Sequence, residues 1–222
     1  MTEKKRTKAK LFDLRHFPMD FARVNMALLP LFYRVRVRTP DGKRYKNFIR
    51  GGAVIAPNHQ GFSDPLVLFV TFWYRRMFFL AGELVMNGSL RSKLLAGLGA
   101  IRIDRNIADM DAIRRSVGLL KEGHILGVFP QGQLTKTQEV SQIKDGAVLI
   151  ALQADVPLIP MYIGPKGKWY QPRTVVIGEP ILPREYCAKK FPSTGDIRKI
   201  SDILAAEMNR CNPNQTQKET AQ

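Results

Sequence analysis

Hydrophobic positions along the chain follow two periods, and the change from one to the other outlines an alternating architecture. Phe17, Phe21, Val24 and Leu28 recur at helical spacing, with Asp20, Arg23 and Asn25 off that face and Pro18 in the first turn. This predicts an N-terminal amphipathic helix, which can pack on the protein's own core or lie in a lipid interface. Residues 33–38 alternate with period two before Pro40-Asp41-Gly42 turns the chain, the pattern of a strand with one buried face and three arginines on a solvated one. From Gly51 the pattern becomes strand, loop, helix, repeated. Strands are predicted at 53–57, 77–81, 100–103, 125–129, 157–163 and 174–177, and helices at 65–74, 89–98 and 146–153. Met110, Ile113, Val117 and Leu120 share one face of a further helix stopped by Gly123, and Ile197, Ile200, Ile203, Leu204 and Met208 mark a last amphipathic one. Strands alternating with helices predict an α/β fold: a mixed, largely parallel sheet flanked by helices.

A chain of 222 residues suits one well-cored domain. Its expected parts are a basic arm, helix and edge strand (1–50), a core (51–164), a segment completing the same domain (165–210) and a flexible polar tail (211–222). Charge changes this picture. Thirty-five Lys and Arg against nineteen Asp and Glu give +16, a field that favours nucleic acid, anionic lipid or acidic carriers and phosphorylated substrates. Residues 1–50 hold fourteen of the cations against Glu3, Asp13, Asp20 and Asp41. A polybasic arm ahead of an amphipathic helix is the combination used for attachment to anionic lipid. The longest charge-free apolar runs, 24–33 and 65–74, have 10 residues each, short of the ~20 needed to span a bilayer. The Lys-rich start leads into Leu-Phe-Asp-Leu-Arg rather than an apolar core, so no secretory signal is expected. Cys187 and Cys211 make no metal, redox or disulfide spacing, which fits a reducing cytoplasmic setting. No metal or cofactor is implied.

Candidate chemistry sits where the predicted strands end, the edge at which α/β sheets gather their sites. The strand at 53–57 runs into Asn58-His59-Gln60-Gly61-Phe62-Ser63-Asp64-Pro65. A histidine with one ring nitrogen on a carboxylate is fixed in tautomer and made more basic, and its other nitrogen can take a proton from a hydroxyl. Asp64-Pro65 is equally the sequence of a helix N-cap with proline in the first turn, so both readings stand. The strand at 100–103 ends in Asp104-Arg105, a cation that could serve the site or pair with its neighbour. Phe129-Pro130-Gln131-Gly132-Gln133 breaks a buried strand, and its glycine permits close approach to a ligand. Lys144-Asp145-Gly146 then puts a cation at a helix start, a place that favours phosphate. Val156-Pro157 and Pro160 lie on an apolar strand that suits core or an acyl-chain groove.

These blocks, in this order over 53–163, resemble the glycerolipid acyltransferases, specifically their 1-acyl-glycerol-3-phosphate acyltransferase branch. The family's Asn-His-x4-Asp block is matched by Asn58, His59 and Asp64, its second block by Gly99, Asp104 and Arg105, and its third by Phe129, Pro130 and Gly132. Lys144 with Gly146, and Val156, Pro157 and Pro160, match its later blocks. The resemblance implies transfer of a fatty acyl group from the thioester of coenzyme A or acyl carrier protein to a lysophospholipid hydroxyl, with lysophosphatidate the expected acceptor. His59 would be the base and Asp64 its partner. Asn58, Arg105, Phe129, Pro130, Gln131, Gly132, Gln133, Lys144 and Gly146 would bind substrate. The setting would be the cytoplasmic face of an anionic membrane, peripheral or monotopic. The chain departs from the family at Gly61 (often Ser), Gln131 (Glu), Gln133 (Thr) and Leu134 (Arg), which leaves Arg105 and Lys144 more of the grip on an acceptor phosphate. Another lipid acceptor, or a catalytically weak membrane-binding member, are the alternatives. A serine hydrolase is disfavoured because no Gly-x-Ser-x-Gly elbow occurs, and no motif points to specific nucleic acid.

Overall fold

A computed structural model describes residues 17, 20, 21, 34–61, 63–82, 89–104, 109–132, 143–168, 171–189 and 192–213. Seven strands, β1 (Val35–Arg38), β2 (Ala53–Pro57), β3 (Met77–Gly82), β4 (Ala100–Ile103), β5 (Ile125–Gly127), β6 (Leu158–Ile163) and β7 (Arg173–Ile177), form one sheet in the order β1-β7-β6-β2-β5-β3-β4. Every neighbouring pair is parallel except β6–β7. The helices are α1 (Asp64–Thr71), α2 (Ser89–Gly97), α3 (Met110–Lys121), α4 (Gly146–Ala154), α5 (Pro183–Tyr186) and α6 (Thr194–Arg210).

β2 reads as an unbroken apolar run because both of its faces are covered. Ala53 and Ile55 pack with Val67 and Leu68 of α1, whereas Val54 and Ala56 meet the opposite layer, built from Ile113 and Leu120 of α3, Val148 and Ala151 of α4, and Ile200 and Leu204 of α6. The alternating β1 keeps Val35 and Val37 half-buried and Arg34, Arg36 and Arg38 exposed, as its pattern requires.

Two expectations shift. Met110 is 47% exposed, and the buried stripe of α3 is Ala112, Ile113, Ser116 and Leu120. Serine can occupy that stripe because its hydroxyl donates to the Ala112 carbonyl at 2.7 Å. The short helix α5 was not foreseen, its four residues being too few to show a period.

The expected N-terminal helix lies largely outside the described residues. Phe17, Asp20 and Phe21 are helical. Asp20, expected off the packed face, is buried and takes a fork from Arg76, Nε at 2.8 Å and Nη2 at 2.6 Å, while Phe17 and Phe21 are exposed. The two rings stack at 6.2 Å between centroids. Among the described residues no helix is long and apolar enough to cross a membrane.

The chain enters β2 tightly against the end of α3. A Cβ on Gly52 would stand 2.1 Å from the Leu120 carbonyl oxygen, a backbone atom that cannot swing aside. Gly52→Ala should therefore destabilise the fold by about 1–3 kcal/mol, read as a lower urea midpoint with an unchanged slope.

Candidate active site

Because β2, β5, β3 and β4 run parallel, the turns that follow them open at one edge of the sheet. The backbone at the end of β2 is fixed first. Asn58 is buried; its Nδ2 donates to the Ile163 carbonyl at 3.1 Å and its Oδ1 accepts from the Ile163 N–H at 2.6 Å. Expected among the substrate-binding residues, it thus has both amide atoms committed to the end of β6. On the other flank, the His59 N–H donates to Gln131 Oε1 at 3.2 Å, and Gln131 is also buried. Phe129 stacks its ring on the imidazole, centroids 4.1 Å apart.

His59 is thereby presented at the edge with its ring oriented. Its Nδ1 lies 3.0 Å from Asp64 Oδ2. A carboxylate only accepts, so Nδ1 carries the proton and donates it, and chemistry on a substrate must use Nε2. Asp64 has no solvent exposure. Its Oδ2 also receives the N–H groups of Gln60 at 2.7 Å and Gly61 at 2.8 Å, and its Oδ1 receives Arg173 Nη2 at 2.8 Å. Burial, the largest single influence, pushes the Asp64 pKa up. The His59 hydrogen bond, the Gly61 and Gln60 N–H groups and the Arg173 charge together outweigh it, and the carboxyl sits below its ordinary range.

The capping reading of Asp64 does not hold. Ser63 occupies the cap position without a side-chain bond, and Asp64 is the first residue of α1. Its carboxylate turns back onto the loop it has just left, through a tight turn closed by its own N–H on the Gly61 carbonyl at 3.1 Å. Arg173 was not singled out from the sequence. It is one cation among thirty-five, and only the antiparallel placement of β7 beside β6 brings it here.

His59 lines a cavity of about 590 Å³. Leu66, Phe69, Phe79, Leu95, Ile103 and Leu149 give it an apolar interior, while Phe129, Pro130, Gly132, Lys144 and Gly146 sit on its wall with His59. Gly132 has φ +69°, and a Cβ there would press on the Lys144 side chain, 2.9 Å from Cε. Lys144 N–H donates to the Pro130 carbonyl at 2.8 Å, tying this lysine to the same turn. α4 starts at Gly146, so its N-terminal N–H groups and the Lys144 ammonium serve one region of the wall. Arg105 and Gln133 lie outside the described residues.

A histidine held by a buried carboxylate on the wall of an apolar cavity, at the carboxyl edge of an α/β sheet, is an arrangement able to move a proton beside an apolar group. Residues 34–164 match the family profile described as acyltransferase. The chain is 34% identical over 162 residues to the 1-acyl-sn-glycerol-3-phosphate acyltransferase of Bacillus subtilis, covering 69% of this chain and 77% of that one. It is 26% identical over 124 residues to a probable 1-acyl-sn-glycerol-3-phosphate acyltransferase of Mycoplasma pneumoniae, of whose length it spans 46%. The crystal structure of the 1-acyl-sn-glycerophosphate (LPA) acyltransferase from Thermotoga maritima shares its fold, with a TM-score of 0.58 at 22% identity over 96% of this chain and 85% of that one. The protein belongs to the acyltransferase family.

A carboxylate held below its ordinary range stabilises the folded state fully above the unfolded-state value of ~3.9, and that contribution is lost as pH falls through the lower folded value. Urea midpoints measured down an acid series should therefore drop more for the wild type below pH ~4 than for Asp64→Asn, which has no carboxyl to protonate. Parallel curves for the two proteins would contradict this.

Proposed function

We propose that the protein transfers a fatty acyl group from a thioester to the free hydroxyl of 1-acyl-glycerol-3-phosphate, yielding phosphatidate. The observation that carries this reading is the Asp64-held His59 on the wall of an apolar cavity that also holds a lysine and a helix N-terminus. A substrate with an acyl chain, a hydroxyl and a phosphate has a counterpart for each. The names of the Bacillus and Mycoplasma relatives support the acceptor.

In this mechanism His59 Nε2 takes the proton of the acceptor hydroxyl as its oxygen attacks the thioester carbonyl carbon. Asp64 keeps Nδ1 protonated and stabilises the imidazolium that forms, as the acid of a catalytic triad does. The tetrahedral intermediate collapses, the carbon–sulfur bond breaks, and the departing thiolate takes the proton back from His59. No acyl-enzyme forms and the protein ends unchanged. Lys144 and the start of α4 hold phosphate oxygens, while Phe129 and the turn to Gly132 shape the approach. Coenzyme A and acyl carrier protein are both acidic, so either donor suits a chain of +16.

The same reading sets the enzyme on an anionic membrane surface. Phe17 and Phe21 are exposed, and residues 1–50, to which they belong, hold fourteen of the chain's cations, a combination that matches an interfacial helix that inserts rings and pairs its charges with headgroups.

Two tests follow from these assignments. His59→Ala should abolish acyl transfer to 1-acyl-glycerol-3-phosphate, and Lys144→Ala should raise KM for that acceptor more than it lowers kcat, both read with an acyl-coenzyme A donor. Full activity in His59→Ala would end the mechanism. Separately, the double change Phe17→Ser with Phe21→Ser should weaken co-sedimentation with phosphatidylglycerol vesicles while leaving the thermal melt in place. Unchanged binding would remove these rings from the membrane contact.

A further inference from the structure

Arg173 opens β7 and is 6% exposed. Among the described residues its guanidinium has these partners: Nε donates to the Gly164 carbonyl at 2.8 Å, Nη1 to Ser63 Oγ at 3.1 Å, and Nη2 to Asp64 Oδ1 at 2.8 Å. Those partners are the end of β6, the turn before α1, and the carboxylate itself. Arg173 is not among the described residues lining the 590 Å³ cavity, and its link to His59 runs through Asp64.

Asp64 needs something its own loop cannot supply. The Gln60 and Gly61 N–H groups hold Oδ2, but they belong to the segment that carries His59 and would move with it. Arg173 reaches across from a different strand and fixes the second oxygen, which sets the carboxylate plane relative to the sheet. It is also a permanent cation. Burial favours protonation of a carboxyl, and a fixed guanidinium at 2.8 Å opposes it.

We infer that Arg173 is a positioning residue for the acyl transfer, keeping Asp64 ionised with Oδ2 turned onto His59 Nδ1. The inference rests on the reading of His59 as the base. Its signature is electrostatic as well as geometric. With Arg173 present, the cluster of Arg173, Asp64 and neutral His59 has no net charge; without it, the cluster carries −1 and takes up a proton at higher pH. Among the described residues, the other ionisable groups near the cluster are Tyr162 of β6 and, lining the same cavity as His59, Asp104, Asp109, Lys144 and Asp145. None of these changes in the comparison.

The experiment compares Arg173→Met, Arg173→Lys, His59→Ala and the double change His59→Ala with Arg173→Met, assayed across pH with 1-acyl-glycerol-3-phosphate and an acyl-coenzyme A. Arg173→Met should lower kcat on the order of 10- to 100-fold, the size usual for loss of a group that orients a functional side chain, with KM little changed. The acid limb of its kcat/KM profile should move up by about one pH unit, and added guanidinium ion should restore part of the rate. Arg173→Lys keeps the charge and loses the fork, so its acid limb should stay near that of the wild type while kcat falls. The double variant should be no slower than His59→Ala alone, because both act through one pair.

An Arg173→Met protein that melts normally and shows an unmoved acid limb overturns the inference. So does wild-type kcat in Arg173→Lys, which decides the matter if the methionine variant fails to fold. His59→Ala with full activity sinks the base assignment itself, whatever Arg173 does. His59→Ala inactive with Arg173 variants unaffected sinks only the positioning role.

Discussion

The site depends on keeping one buried carboxylate charged. Removing an ion of that size from water costs several kcal/mol even after the protein relaxes, and Asp64 has no solvent exposure at all. Four donors answer that cost: His59, two consecutive backbone N–H groups and a guanidinium. Three demands on the fold bring them together. The loop must turn sharply enough for residues 60 and 61 to point inward, α1 must begin at residue 64, and β7 must return antiparallel beside β6 to deliver its first residue. Each of these contacts works against the burial that would otherwise favour the neutral acid.

Topology explains why the cluster faces an open crevice rather than solid core. From β2 the chain crosses by α1 toward β3 and β4, whereas from β5 it crosses back by α4 to β6 on the other side of β2. The two connections leave in opposite directions on opposite faces, and the segments beyond the strand ends diverge there, at the switch point where α/β proteins bind ligands. Helices α1 and α4 both begin at this edge, so their N-termini approach the crevice from either face. Asp64 occupies one helix start and Gly146 the other, with Lys144 just ahead of it.

Most of the architecture was legible in the sequence because β2 to β6 obey the periods that burial imposes. The strands at 53–57 and 100–103 appear with their expected bounds, and the others begin and end within two residues of theirs. Of the site, the pairing of His59 with Asp64 was readable as a spacing, but its alternative as a helix cap was equally so. Only the direction of the carboxylate separates them, and direction is set by the turn at 61–64. Asn58 read as a ligand because a polar residue beside a base invites that inference, while its actual partner, the backbone of Ile163, is 105 positions away. Arg173 was invisible for the same reason, since sequence gives no weight to one arginine whose value comes from a strand pairing. The first helix shows the opposite failure. Spacing grouped Phe17 with Phe21 correctly, but could not tell that the aspartate between them is the buried side.

The two amides flanking His59 have a consequence for which residue types these positions tolerate. Past Pro57 the sheet continues without strand backbone: Asn58 meets β6 as a peptide unit would, giving and receiving one hydrogen bond, and Gln131 offers its carbonyl to the His59 N–H. A carboxylate can imitate the second, because acceptance is the whole of what that contact asks. It cannot imitate the first, which also needs a donor aimed at the Ile163 oxygen. Exchange of amide for acid thus keeps the contact with the His59 N–H at position 131 and breaks the pairing with Ile163 at position 58. The glutamine that stands where the resembling family carries glutamate holds the His59 N–H.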